Sequence, residues 1–195
     1  MVQYLLDLGV GEVIVSEQGQ IETFFHPKVK KYFLQSDGLF WKTKLYNEGV
    51  GISQYDFLWF NDVDVIVPQG NIIKGLDLLK KVHVIDPYNK IYYFDQNWSE
   101  IVLNSGFKPN RSFSHKMSGV ISGGAFGIRK SVFFPFELGC IGWGYEDDIY
   151  DMGIKKFGLK VKKFHYEESF HLFHPQHVGQ SNNLGLYKKY LKGLC

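Results

Sequence analysis

The segment Trp59-Phe-Asn-Asp-Val-Asp-Val-Ile-Val-Pro68 sets two carboxylates, Asp62 and Asp64, one residue apart behind an apolar run. Paired hard oxygen donors of this kind suit a divalent cation. If the run is a strand, residues two apart point the same way, and strand ends are where open α/β sheets bind ligands. The same spacing also fits a turn or a cap, because Asp is common where strands meet turns. Farther along, His171 and His174 lie three apart among aromatic and apolar residues. Two imidazoles with a carboxylate suit Mn²⁺ or Zn²⁺ better than Ca²⁺.

A second group, Gly142-Trp-Gly-Tyr-Glu-Asp-Asp148, puts three consecutive acids at a helix start, just after a Trp held between glycines. N-terminal capping accounts for one or two of these acids. It leaves the flanking glycines unexplained; they expose the Trp143 ring and let the backbone come close to another group. Adjacent carboxylates repel, so at least one is expected to have a raised pKa, as a general base needs.

These groups need elements to position them. Val2–Leu8 reads as the end of a helix stopped by Gly9 and Gly11, and Glu12–Ser16 as a short β-branched strand. After a loop, a helical stretch runs from about Gly38 to Val50. Asp56–Asn61 is a strand, Asn71–Lys81 an amphipathic helix, and Val82–Asp86 a third strand. Asp95 is placed to cap a helix through Trp98 to Leu103. Ser118–Arg129 is glycine-rich and apolar, a strand and turn. Glu146–Phe157 has helical spacing, with acids first and lysines last, and Gly158 as a stop. Leu159–Phe164 is strand-like and Leu184–Leu194 a basic helix. Strands alternating with helices predict an α/β fold with a largely parallel sheet. No repeat or linker interrupts the chain, so residues 1–195 read as one domain.

Composition narrows the function. The chain has 195 residues, 45% hydrophobic and 22% charged, which suits a globular domain and argues against disorder. A formal net charge of +2 gives no footprint for nucleic acid. Lys28-Val-Lys-Lys31 and Lys160-Val-Lys-Lys163 read as solvated faces, or as contacts for phosphates or an anionic membrane surface. The aromatic content of 17% fits a Phe-packed core, with a ring-lined cleft for sugars or bases as the other reading. Cys140 and Cys195 make no disulfide framework, so a reducing compartment is expected. There is no signal pattern at the start, and no apolar run reaches the length of a bilayer span. The expectation is a soluble cytoplasmic protein whose membrane contact, if any, is peripheral.

Taken together, and in order from about Val2 to Pro175, these residues resemble the GT-A glycosyltransferases of the β-1,4-galactosyltransferase and chondroitin-polymerase type. Phe40-Trp-Lys-Thr-Lys-Leu-Tyr-Asn-Glu-Gly49 resembles the family's helix ending in Asn-x-Gly ahead of its D-x-D strand. Phe60–Pro68 matches the metal motif, and Ser122-Gly-Gly-Ala-Phe-Gly-Ile-Arg129 resembles the glycine pair lying against the donor sugar. Gly142–Asp148 matches the acceptor and base motif, with Tyr145 where Gly is common, and His171-Leu-Phe-His174 falls where the family completes its metal site.

The resemblance implies a GT-A fold and a metal-dependent inverting glycosyltransferase, moving a sugar from a UDP-sugar to a hydroxyl of a glycan or glycoconjugate. It implies Mn²⁺, or Mg²⁺, held by Asp64 and His174 with His171 as a third ligand. Asp62 would contact the ribose or a bound water, and Lys42 would lie near the base and ribose. Gly124 and Trp143 would shape the sugar site. Glu146 would hold the acceptor hydroxyl and Asp147 would be the catalytic base, across the sugar from the Asp64 metal. One departure is at the start, where the family has a strand carrying Arg or Asn residues for the nucleotide; this chain begins at the helix that follows. The rival functions are a non-catalytic nucleotide-sugar- or glycan-binding module, and a sugar nucleotidyltransferase. The latter needs a glycine-rich basic phosphate loop near the N-terminus, which the sequence lacks.

Overall fold

In a computed structural model of the chain, residues 1–106, 117–119, 123–165, 167–175 and 183–193 are described, 117–119 by backbone alone. Ser122, Tyr166, Leu194 and Cys195, which figured in the sequence reading, lie outside them. The chain divides into two compact units: Met1–Gly9, Phe57–Arg129 and Lys160–Gln176 make the first, and Val10–Asp56, Lys130–Leu159 and His177–Cys195 the second.

The first unit opens with α1 (Val2–Leu6) and carries two four-stranded sheets. One is built from β3 (Phe57–Asn61), β8 (Ala125–Arg129), β5 (Val84–Asp86) and β9 (Val161–Lys163), in that order. Between β3 and β5 the chain passes through α3 (Gln69–Leu78), a helical crossover that leaves the two strands pointing the same way. The place between them is taken by β8, antiparallel to both, and β9 then adds parallel to β5. The sheet is therefore mixed, which corrects the largely parallel sheet expected. Alternation of strand and helix fixes the direction of sequential strands, but not whether a distant strand enters between them. Apolar side chains set the register: Phe60 pairs with Phe126 across the ladder, and their rings stack with centroids 4.6 Å apart.

The other sheet has the order β4 (Val65–Ile66), β10 (Glu168–His171), β6 (Lys90–Tyr93), β7 (Met117–Gly119). Here β10 is antiparallel to β4 and parallel to β6. Ile66, Phe94, Phe170 and Leu172 are buried with Val102 of α4 (Gln96–Asn104). The Asp95 side chain caps α4 by accepting from the Trp98 N–H at 2.9 Å, as the sequence predicts. A neighbouring cluster gathers Val65, Val67, Ile72, Tyr88, Ile91 and Ala125, with Tyr4, Leu5 and Leu8 packed against it. Tyr4 also donates its hydroxyl to the Val67 carbonyl at 2.9 Å, tying down the N-terminal turns.

The second unit pairs β1 (Ile14–Gly19) with β2 (Lys30–Gln35) in parallel, next to α2 (Lys42–Ile52). Helices α5 (Glu146–Lys156) and α6 (Asn183–Leu191) complete it. Its interior is aromatic: Tyr150 lies between Phe136 and Phe134, with centroids 3.9 and 4.3 Å away and near-parallel rings. No helix among the described residues is long and apolar enough to cross a membrane.

Four sequence readings shift. The helix expected from about Gly38 begins at Lys42, and β2 occupies part of what read as a loop. Lysine-rich β2 lacks alternation because its cations are partnered at the surface: Lys30 with Glu12 at 2.5 Å and Lys31 with Glu22 at 2.7 Å. Strands β6 and β10 also went unread, because both are short and buried on an irregular pattern. Last, the apolar run around the two aspartates is not one continuous strand. It breaks at Asp62–Asp64, where the Val65 N–H donates to the Asp62 carbonyl at 3.2 Å and closes a turn.

Close packing on α3 gives a test with two opposite signs. A Cβ on Gly75 would come within 2.8 Å of the Trp59 ring and 3.1 Å of Ile85, whereas one on exposed Gly70 would meet nothing within 4 Å. Gly70→Ala is expected to stabilise by up to ~1 kcal/mol through helix propensity alone. Gly75→Ala should destabilise by about 1–3 kcal/mol, overpacking outweighing the same propensity gain. Urea midpoints of the two variants decide it; a raised midpoint for Gly75→Ala would contradict the close approach.

Candidate functional site

In the first unit, Asp64, His171 and His174 form a cluster whose ligand atoms all lie within 4.8 Å of one another. Asp64 Oδ2 is 3.4 Å from His174 Nε2 and 3.9 Å from His171 Nε2. The β4–β10 ladder brings them together, pairing Val65 with His171, and one step on the Leu172 N–H donates to the Asp64 carbonyl at 2.8 Å. A second brace is the Phe173 N–H, which donates to Ser99 Oγ at 2.7 Å.

The chemistry of the histidines fits a metal. His171 Nδ1 lies 2.8 Å from the Leu172 carbonyl, and His174 Nδ1 lies 3.2 Å from the Pro175 carbonyl. A carbonyl can only accept, so each Nδ1 carries the hydrogen, and in the neutral ring each Nε2 keeps its lone pair. Orientation of a ligating imidazole by such a backbone acceptor is the usual support of a protein metal site. Two imidazole nitrogens and a carboxylate oxygen suit Mn²⁺ or Zn²⁺. All three side chains are only partly buried, so the cluster is open to a further ligand.

Asp62 is not in this cluster. Its N–H donates to the Gly124 carbonyl at 2.7 Å, and Asn61 Nδ2 donates to the Asp62 and Val65 carbonyls at 2.7 and 2.8 Å, holding the turn. Gly124 is buried, and a Cβ there would come within 2.5 Å of Val65 Cγ2. Close packing against the strand that follows Asp64 is thus enough to require this glycine. Asn61, which the sequence reading passed over, is what fixes the aspartate turn.

The second unit holds Trp143, Glu146, Asp147 and Lys42. Gly142 and Gly144 have φ of 81° and 97°, the left-handed region where a side chain is disfavoured. The loop they form leaves Trp143 55% exposed. Tyr145 also has positive φ, at 67°, a conformation that glycine adopts more readily than a residue with a side chain. Its ring stacks on Tyr187 of α6 at 4.9 Å.

Helix α5 then begins with the three acids in its first turn. Glu146 and Lys42 are each only 5% exposed. Lys42 Nζ lies 3.4 Å from Asp147 Oδ2 and 3.7 Å from Glu146 Oε1. Repulsion among the carboxylates is met by this buried cation. Lys42, assigned by resemblance to the base and ribose, thus sits against the two acids. Glu146 Oε2 is buried with no hydrogen-bond partner among the described residues.

Several supporting residues were not foreseen. Asn183, 1% exposed at the start of α6, accepts from the Ile141 N–H at 3.1 Å and donates to the Gly144 carbonyl at 2.8 Å. It clamps the Trp143 loop from both sides. Thr43 Oγ1 donates to the Cys140 carbonyl at 3.1 Å, and Asn47 exchanges two hydrogen bonds with the Phe136 backbone at 3.0 and 2.8 Å. These bonds seat α2 beside the chain leading to the acids. The Cys140 thiol is pushed up to about 12, by burial first and then by the charges of Glu146, Glu137 and Asp147. A buried polar Asn at a helix start is the kind of signal that could mark Asn183 in a sequence, but its partners lie about 40 residues away.

Two measurements check these geometries. Titration of Mn²⁺ into the protein without nucleotide, followed by the electron paramagnetic resonance of free ion, should show binding that weakens at least ~10-fold in His174→Ala. Unchanged binding would remove His174 from the cluster. In a Cys195→Ser background, Cys140 should resist alkylation at pH 8 in the native protein and react once unfolded; rapid native reaction would contradict its burial beside the acids.

No family model matches the sequence, and no curated protein matches it. Solved structures do. A mutant of Drosophila beta-1,4-galactosyltransferase 7, in complex with manganese, UDP-Gal and xylobiose, aligns over 94% of this chain with a TM-score of 0.50 and 18% identity. GalNAc-T7, in complex with UDP, GalNAc and Mn²⁺, aligns over 85% of it with a TM-score of 0.58 and 15% identity. The chain spans 59% of the length of the first and 36% of the second. Both neighbours are GT-A glycosyltransferases. The fold of this chain is that of the GT-A glycosyltransferases, built here on mixed sheets.

Proposed function

We propose that the chain is a Mn²⁺-dependent inverting glycosyltransferase that moves a hexosyl group from a UDP-sugar to an acceptor hydroxyl on a glycan or glycoconjugate. The observation that carries this reading is the Asp64–His171–His174 cluster, with both Nδ1 atoms fixed on backbone carbonyls. The two solved neighbours bind manganese with UDP-Gal, and Mn²⁺ with UDP, on the same fold, which supports it further.

Asp64, His171 and His174 would hold the ion, which when bound supplies positive charge for the departing diphosphate. Asp62, at the head of the same turn, addresses the ribose or an ordered water. Trp143 offers an exposed indole face to the apolar side of a sugar ring. Glu146, whose Oε2 is buried with no hydrogen-bond partner among the described residues, is suited to accept a hydrogen bond from an acceptor hydroxyl next to the reacting one. Asp147 accepts the proton of the reacting hydroxyl as its oxygen forms the bond to the anomeric carbon and the bond to the UDP oxygen breaks. Attack opposite the leaving group inverts the anomeric centre. As in glycoside hydrolysis, the carbon carries oxocarbenium character at the transition state. Gly124, packed on Val65, gives the chain close approach beside the donor turn.

Calorimetric titration of UDP with Mn²⁺ and again with EDTA, on wild type and Asp64→Ala, tests the donor half. Heat should appear only with metal and only with Asp64 present; metal-independent binding would sink the reading. Asp147→Asn should lower transfer by about 10²–10⁴-fold while UDP affinity stays close to wild type. A large loss of UDP affinity in that variant would take the base role from Asp147. Metal-dependent UDP binding with no transfer to any acceptor would instead favour a binding module.

A further inference from the structure

We infer that Lys42 is a positioning residue for the acceptor-activating acids, not a contact for the nucleotide; this rests on the proposed function. The first observation is burial. Lys42 and Glu146 are each 5% exposed, and an ammonium or a carboxylate removed from water this far is strongly disfavoured unless it is paired. The second is distance. Nζ reaches both acids, at 3.7 Å from Glu146 Oε1 and 3.4 Å from Asp147 Oδ2, and lies 5.4 Å from the centre of the Tyr46 ring. With its head group enclosed by those partners, the side chain has little surface to offer a ribose or a base.

Support for the lysine comes from its own element. Lys42 is the first residue of α2, and the bonds of Thr43 to the Cys140 carbonyl and of Asn47 to the Phe136 backbone hold that helix against the chain that leads into α5. The Trp41 indole N–H adds a third, donating to the Leu138 carbonyl at 3.1 Å. The ammonium is therefore delivered to a fixed point, and two long acidic side chains are oriented by it. One cation satisfies Glu146 Oε1 and leaves Oε2 as the buried atom without a protein partner. Asp147, whose side chain is 25% exposed against 6% for Glu146, keeps access to solvent and substrate. The pair is thus divided by its surroundings into an inner acid that holds the acceptor through one hydroxyl and an outer acid that takes the proton of the reacting one. Lys42 sets that division without touching the reacting atoms.

The test compares wild type, Lys42→Met, Lys42→Arg and the double variant Lys42→Met/Glu146→Gln. Transfer is followed as UDP release from UDP-Gal, UDP-Glc, UDP-GalNAc and UDP-GlcNAc with xylobiose and other short glycans. UDP affinity with Mn²⁺ is measured in parallel. Lys42→Met should lower kcat by about 10²-fold through displaced acids, with UDP affinity and donor KM within about threefold of wild type. Lys42→Arg should recover at least ~10-fold of that loss, because a guanidinium still pairs both carboxylates. If Lys42→Met fails to fold, the double variant removes both buried charges, and its UDP affinity should match wild type. Loss of UDP affinity in Lys42→Met, or in the double variant where the single one does not fold, would make Lys42 a nucleotide contact and overturn the inference, as would wild-type kcat in Lys42→Met. Absence of transfer by the wild type would remove the function reading and this inference together, so the two failures are distinguishable.

Discussion

The first unit depends on the short antiparallel ladder between β4 and β10. It pairs Ile66 with Phe170 and Val65 with His171, segments about a hundred residues apart in the chain. The same four residues serve two ends. Ile66 and Phe170 turn into the apolar cluster with Phe94, Val102 and Leu172, whereas the backbone just beyond them joins Asp64 to Leu172. Burial of that cluster is thus what brings a carboxylate and two imidazoles together, and the three groups inherit their spacing from core packing. Full burial of side chains of this size contributes roughly 1.5–3 kcal/mol each. That gain offsets the electrostatic cost of three titratable groups held within a few ångströms.

In the second unit the corresponding constraint is electrostatic. A helix start with three acids gains from the helix dipole, by up to about 2 kcal/mol each, which does not offset the hydration that a buried carboxylate loses. Glu146 is buried, and the Lys42 ammonium is buried with it. The chain leading to this helix has positive φ at Gly142, Gly144 and Tyr145, and Tyr145 is the residue for which that conformation is costly, by about 1–3 kcal/mol. Two contacts hold it there: the stack on Tyr187 and the clamp of Asn183 on the flanking backbone. Both come from α6, so the terminal helix keeps the strained loop in place.

How far the sequence revealed this follows from the range of each interaction. Asp95 as a cap and α5 with its polarity are local, set by residues within one turn, and were legible. The direction of β8 was not, because nothing within the strand says that it will lie between β3 and β5. The aspartate pair was legible as chemistry, and Asp64 does lie with the histidines; the turn at Asp62–Asp64 was not legible, because it is held by the Asn61 side chain. Lys42 stands for the least legible class. By resemblance it reads as a neighbour of the base and ribose, and only tertiary packing shows its ammonium beside two acids more than a hundred positions away.

That enclosed pair also bears on the choice between a working transferase and a module that only binds. Replacing a buried ion pair by apolar side chains of like volume is often neutral or stabilising, so stability alone gives little reason to keep Lys42 and Glu146. A site that only binds a nucleotide through the Asp64 cluster has no use for a desolvated carboxylate in the other unit. The proposed transfer has one, because a carboxylate held in a fixed, water-poor setting orients an acceptor beside the base without first reorganising solvent. Glu146 Oε2, buried and lacking a protein donor, is the atom at which this cost is visible. Under the proposed function an acceptor hydroxyl is the donor that would satisfy it, which gives the buried charge a use that a nucleotide-binding module lacks.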